Sequence, residues 1–145
     1  MSFDANGLLD LWTRPIADEE AARAAFAGWY MDPVTINGAP MALADLVRRA
    51  GGLQAAFETL TREVESVIES GDRIVLSFRM GGRQVGPLAT SAGVLSPTHR
   101  LITLRVIDIL ILREGLITDI TMVADELGGL AAVGAASLTG APAAG

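Results

Sequence analysis

The sequence predicts an α+β domain with helices first, long antiparallel strands after them, and the helices gathered on one face of the sheet. Two observations carry this. Apolar residues recur at helical spacing between Gly7 and Leu60, and alternate with polar ones at period two over Arg73–Met80. The strand-like half also holds the most apolar stretch, Arg105–Asp125, two long runs facing each other across Glu114-Gly115. At 145 residues, half of them hydrophobic, one domain can bury about 68–70% of its unfolded surface without disulfides or metal.

The elements follow in order. Gly7–Trp12 (GLLDLW) is a short amphipathic segment of one or two turns. A longer helix opens after Pro15, with Asp18 as N-cap, Glu19 and Glu20 in the positive first turn, and Ala22, Phe26 and Trp29 on one face. Asp32-Pro33 ends it, since the residue before proline avoids helical backbone. Val34–Asn37 is a short strand closed by Gly38 and Pro40. From Ala42, Leu43, Leu46, Val47 and Ala50 mark a helix that Gly51-Gly52 interrupts, giving two helices or one bent one. Arg62–Glu69 is a strand, Ser70-Gly71 a hairpin turn, and Arg73–Met80 a half-buried strand with arginines on its second face. Residues 81–100 show no period; their apolar members Val85, Leu88, Val94 and Leu95 favour a lid or packed loop over a free linker. The domain is expected over 1–130, with 131–145 an Ala/Gly-rich tail.

Composition removes whole reaction classes. All eleven basic residues are Arg, Cys is absent and His99 is the single histidine. Without Lys or Cys there is no Schiff base and no thiolate nucleophile or ligand, and one His cannot build a multi-His metal site. Acid–base chemistry by Asp, Glu, Tyr, Arg and one His remains. A net charge of −6 argues against nucleic acid or an anionic membrane as partner. No run reaches the ~18 apolar residues of a membrane span. Met1–Asp10 lacks the basic-then-apolar pattern of a signal peptide, and the absence of Cys fits a cytoplasmic location.

The apolar hairpin carries two carboxylates, Asp108 and Asp125. An unpaired buried carboxylate costs several kcal/mol or shifts its pKa upward, so each serves either the core or a site. With Glu114-Gly115 as a two-residue loop, Asp108 lies opposite Thr121 and Leu104 opposite Asp125. Asp108, Thr121, Val123 and Asp125 then share one face, while Arg105, Ile107, Ile109, Ile120 and Met122 share the other. The two acids stand about four residues apart, or ~13 Å at ~3.3 Å per residue. That is too far for a shared proton.

The stretches GDRIVLSFRMGG, SPTHR and VIDILILREGLITDITMVADELGGL resemble the SnoaL-like family, a branch of the nuclear-transport-factor-2-like superfamily that includes polyketide ester cyclases. The matching positions are Gly71-Asp72, Pro97-Thr98, Arg100, Asp108, Glu114-Gly115, Ile117, Asp125 and Gly129-Leu130. The likeness covers Phe26–Leu130. It implies a cone-shaped fold, a curved antiparallel sheet wrapped around the N-terminal helices, with an internal pocket and no cofactor, and a homodimer joined through the convex side of the sheet. It places Asp125 at the family's acid/base aspartate. Two positions depart from the pattern: His99 replaces a glycine, and Thr121 replaces a tryptophan.

The candidate catalytic residues are therefore Asp125, His99 and Asp108. Asp108 is either a second substrate contact or a carboxylate satisfied by Arg79, Arg73 or a backbone donor. His99 is either an exposed loop residue or a base on the lid. For substrate binding the candidates are Asn37, Tyr30, Thr121, Arg79 and Met122; their alternative reading is turn formation for Asn37 and core packing for Tyr30 and Met122. The expected function is cofactor-independent acid–base catalysis on an apolar small molecule, a polyketide-type cyclisation or isomerisation. Epoxide opening, with Asp125 or Asp108 positioning water against Arg79, is one alternative. A non-catalytic ligand-binding or dimerisation module is the other.

Overall fold

A computed structural model describes residues 2–140. Helix α1 spans Ala5–Thr13 and begins where the Asp4 carboxylate accepts the Gly7 N–H at 2.9 Å. Helix α2, Glu19–Ala27, is capped in the same manner by Asp18, which accepts from Glu20. Strand β1 runs from Tyr30 to Ile36, starting four residues earlier than the local pattern implied, and β2 is Ala39–Met41. Helix α3, Leu43–Ala56, is continuous through Gly51 and Gly52, both of which face open space. The anchoring of Leu43, Leu46, Ala50 and Ala56 in the core outweighs the weak helix preference of the glycines.

Strands β3 (Thr61–Ser70), β4 (Arg73–Arg83), β7 (Leu101–Arg113) and β8 (Leu116–Ala124) form the body of a six-stranded sheet. Its order is β2-β1-β8-β7-β4-β3, antiparallel except for β1 beside β8. The turn between β3 and β4 is Gly71-Asp72, one residue beyond the expected position. One face is the core face. It presents Ile74, Leu76, Phe78 and Met80 from β4 and Val106 and Leu110 from β7 to Leu8, Leu9, Phe26, Leu43 and Leu46 of the helices. The α+β architecture, helices against one face of a curved sheet, is as the sequence predicts.

The segment between β4 and β7 is a packed loop holding a small hairpin, β5 (Leu88–Thr90) and β6 (Gly93–Leu95). Gln84 holds it. This fully buried amide donates to the carbonyls of Gly86, Leu95 and Ser96, and accepts from the Thr98 N–H at 2.9 Å and hydroxyl at 2.7 Å. Leu88 and Leu95 seat the loop on a second apolar cluster with Ala56, Phe57, Ile102 and Leu104. After β8 a short helix α4 covers Glu126–Ala132, and Val133 packs against that second cluster. Helix α4 thus ends two residues past the expected boundary at 130, and the last five residues of the expected tail lie outside the described residues.

Candidate functional site

The β7–β8 hairpin turns at Glu114 and Gly115, both at positive φ (53° and 80°), as a two-residue primed turn requires. The pairing of Arg113 with Leu116 and Leu112 with Ile117 follows the expected register. Then it shifts. Ile111 pairs with Asp119, leaving Thr118 as an extra residue whose hydroxyl donates to the Ile111 carbonyl at 3.3 Å. A bulge of this kind inverts the facing of everything beyond it.

The consequence corrects the expected site. Asp108 lies opposite Met122, not Thr121, and opposite Leu76 on β4, so it belongs to the core face. Thr121 pairs with Ile109 on the outer face. Asp125 is also separated from Asp108. It leaves the sheet, its N–H donates to the Arg105 carbonyl at 2.8 Å, and its side chain caps α4 by accepting from Gly128 at 2.9 Å. It lines an outer groove of about 380 Å³ with Arg79, Thr103, Arg105 and Gly129. Gly129 permits this arrangement: a Cβ there would meet the Thr103 carbonyl oxygen at 2.8 Å, so α4 can lie directly on β7.

The arginines expected to satisfy Asp108, Arg73 and Arg79, alternate along β4 with Ile74, Leu76 and Phe78 of the core face and so lie on the outer face. Arg79 and Arg105 pair across β4 and β7 on the outer face and converge on Glu65, which accepts from Arg105 Nε at 2.9 Å and Nη2 at 2.7 Å and lies 3.3 Å from Arg79 Nε. The Arg105 hydrogen bonds hold the Glu65 carboxyl below its ordinary range. Arg79 therefore does not position water against Asp108; with Asp125 it shares only the outer groove.

Asp108 is left alone on the inner face. Its side chain is half-buried, and its Oδ1 is sealed from solvent with no hydrogen-bond partner among the described residues. Desolvation by burial pushes the carboxyl up to about 7. Tyr30 is the titratable group electrostatically coupled to it from β1. The phenol is 4% exposed, its ring stacks on Phe26 with centroids 6.0 Å apart, and its oxygen accepts the Trp12 Nε1–H at 2.8 Å. Burial raises the phenol's pKa, the Trp12 hydrogen bond opposes that, and the nearby Asp108 charge adds to it.

The remaining candidates are placed as follows. Met122 borders Asp108 directly, on the face where Asp108 lies and not on the one expected. Asn37, at φ 49°, accepts the Met122 N–H through Oδ1 at 2.9 Å and donates to the Met122 carbonyl through Nδ2 at 3.2 Å. Its amide extends the β1–β8 ladder by one step. His99 is exposed at φ 58°, its N–H donating to the Gln84 carbonyl and its carbonyl accepting from Arg83. At least seven strand residues separate it from Asp108, on the order of 23 Å. Trp12 was not singled out in the sequence; the signal available was a polar-tipped aromatic on the apolar face of the first helix. Among the described residues no three His, Asp or Glu side chains converge to hold a metal ion, and no helix is long and apolar enough to cross a membrane.

Comparison with known proteins agrees with the fold. The family model for SnoaL-like polyketide cyclases matches residues 7–133. Among solved structures, TsrD from Streptomyces laurentii superposes with TM-score 0.71 at 19% identity, over 93% of this chain and all of that one. A SnoaL-like polyketide cyclase from Agrobacterium tumefaciens gives 0.69 at 16% identity, covering 89% of this chain and 93% of the other. AclR from Streptomyces galilaeus gives 0.68 at 20%, covering 91% and 96%. No curated protein matches the sequence.

Proposed function

From the premise that the chain belongs to the SnoaL-like polyketide cyclase family, we propose that it is a cofactor-independent acid–base enzyme that cyclises or isomerises an apolar, polyketide-type carbonyl compound, with Asp108 as the group that moves the proton. The observation that carries this is the Asp108 carboxyl itself. It is an inward-facing acid with a sealed, unpartnered oxygen and a pKa pushed up to about 7. Such a group takes a proton as carboxylate and returns it as acid near neutral pH, where general acid–base efficiency is highest.

In the cyclisation, Asp108 carboxylate removes a proton from carbon beside a substrate carbonyl. The electron pair moves onto that carbonyl oxygen as an enolate, which the Tyr30 hydroxyl can face as donor. The enolate carbon forms a new bond to a second carbonyl of the same molecule, and the resulting alkoxide takes the proton back from Asp108. Substrate and product are isomers, so no co-reactant is needed. Met122, Leu76 and Leu110 supply the apolar surroundings of the acid. For Asp125, the geometry supports capping of α4 in place of proton transfer.

The test uses nitrobenzisoxazole, a small aromatic probe that opens when a base removes one C–H proton. The wild type should accelerate opening with a rate that rises as pH passes through about 7. Asp108→Asn should lose ~10²–10⁴-fold of that acceleration, and Asp125→Asn should keep it. An unchanged rate in Asp108→Asn, or the loss appearing in Asp125→Asn instead, removes Asp108 from the role.

A homodimer through the outer face of the sheet belongs to the same proposal. Ile68, Ile107, Ile109 and Val123 expose 57%, 46%, 37% and 67% of their surface there, beside the Glu65–Arg105 pair. Ile107→Glu should convert a dimer to monomer in sedimentation velocity; a wild-type monomer refutes it.

A further inference from the structure

The Trp12–Tyr30 contact has no role in packing alone that explains its polarity. A phenol has one proton to donate and two lone pairs to accept with. One lone pair of Tyr30 is taken by Trp12 Nε1–H at 2.8 Å, so the phenolic proton must point away from the indole. Both rings pack against Phe26. Tyr30 stacks on Phe26 at an interplanar angle of 21°, and Trp12 meets the same ring edge-on at 5.5 Å. The Trp12 carbonyl is held in turn by Gln54 Nε2 at 2.9 Å.

That proton finds no acceptor among the described residues, although Tyr30 is buried. Asp108 Oδ1 is the complementary case, a sealed oxygen with no donor. The two are beyond hydrogen-bond distance of each other. Buried polar groups are almost always satisfied, so an unmet donor and an unmet acceptor in one core suit a ligand atom between them.

We propose that Trp12 is a positioning residue of the acid–base site: its Nε1–H holds the Tyr30 oxygen so that the phenolic proton is presented to the carbonyl oxygen of a substrate whose neighbouring carbon faces Asp108. This rests on the assignment of proton transfer to Asp108. Trp12 acts only through Tyr30 and touches no reacting atom. It also tunes the donor, since its hydrogen bond makes the phenol more acidic than burial alone would leave it. Leu76 on β4 and Met122 on β8 flank Asp108 in register, and the Asp108 charge is the one felt at Tyr30, so a titration felt there has Asp108 as its source.

The experiment is nuclear magnetic resonance of the full chain across pH. Tyr30 is the only tyrosine, so an isotope label at the tyrosine ring carbon bearing oxygen reports on it alone. Of the two tryptophans, Trp29 serves as internal control. The Tyr30 carbon and the Trp12 indole N–H should step together near pH 7, with Trp29 flat. Both steps should vanish in Asp108→Asn, and the Trp12 step should vanish in Tyr30→Phe. In nitrobenzisoxazole turnover, Trp12→Phe, Tyr30→Phe and the double variant should each lose about tenfold in kcat, a non-additive cycle that a merely structural Trp12 would not give. A Trp12 resonance without a step, or additive losses, overturns the inference even if Asp108→Asn abolishes turnover. The opposite pattern, a Trp12 step with turnover intact in Asp108→Asn, removes the assignment to Asp108 and this inference with it.

Discussion

Replacing Asp108 by Asn should change how stability depends on pH, independently of any substrate. In the folded protein Asp108 keeps its proton up to about 7, against an ordinary value of 3.8. Between those limits the folded state binds more protons than the unfolded chain, so stability falls as pH rises through the window. Below about pH 4 both states are protonated and the penalty is absent; above about pH 7 it is complete. At about 1.4 kcal/mol for each pH unit, the loss reaches about 4 kcal/mol, a large share of the ~5–15 kcal/mol of a typical domain. Asn carries no charge at any of these pH values. Urea unfolding of wild type and Asp108→Asn at intervals from about pH 4 to 8 isolates the term, because every other titrating group is common to both proteins. The variant's advantage should grow steadily toward high pH and level off above about 7. A constant offset from the new amide would shift the difference without changing its slope. Parallel curves would mean that Asp108 is solvated or paired in solution, and both the burial argument and its role as proton carrier would fail together.

Three further outcomes follow from the packing. Gly51→Ala and Gly52→Ala place a methyl in open space inside an exposed stretch of α3, and each should raise stability by about 0.8–1 kcal/mol in denaturant unfolding. Gln84→Leu leaves the Thr98 N–H and three carbonyls without their buried partner, which at about 1 kcal/mol apiece should cost ~3 kcal/mol or more and speed amide exchange across residues 85–100. Asp125→Ala should cost about 1 kcal/mol through loss of the α4 cap, with exchange rising first in Glu126–Ala132.

Much of this molecule was decided by chemistry local to each segment. Asp18 before Glu19-Glu20, Glu114-Gly115 between apolar runs, and the alternation of Arg73–Met80 each specify a cap, a turn or a strand face from a few neighbouring residues, and each is present in the structure. The family pattern likewise resides in such local signals, which is why the α+β fold was legible. The site was not, because it depends on one extra residue. Nothing in LITDITMVAD marks Thr118 as the bulge. The bulge exists because Ile117 and Ile120 both have to reach the core while β1 pairs along the other edge of β8. That requirement is set by three strands and the helices above them. It brought Met122 beside Asp108, which the regular β4–β7 pairing already turns to the core face, and sent Thr121 and Asp125 to the outer side. Sequence determined which residues are able to do proton chemistry; the packing of the sheet determined which of them is enclosed with nothing to neutralise it.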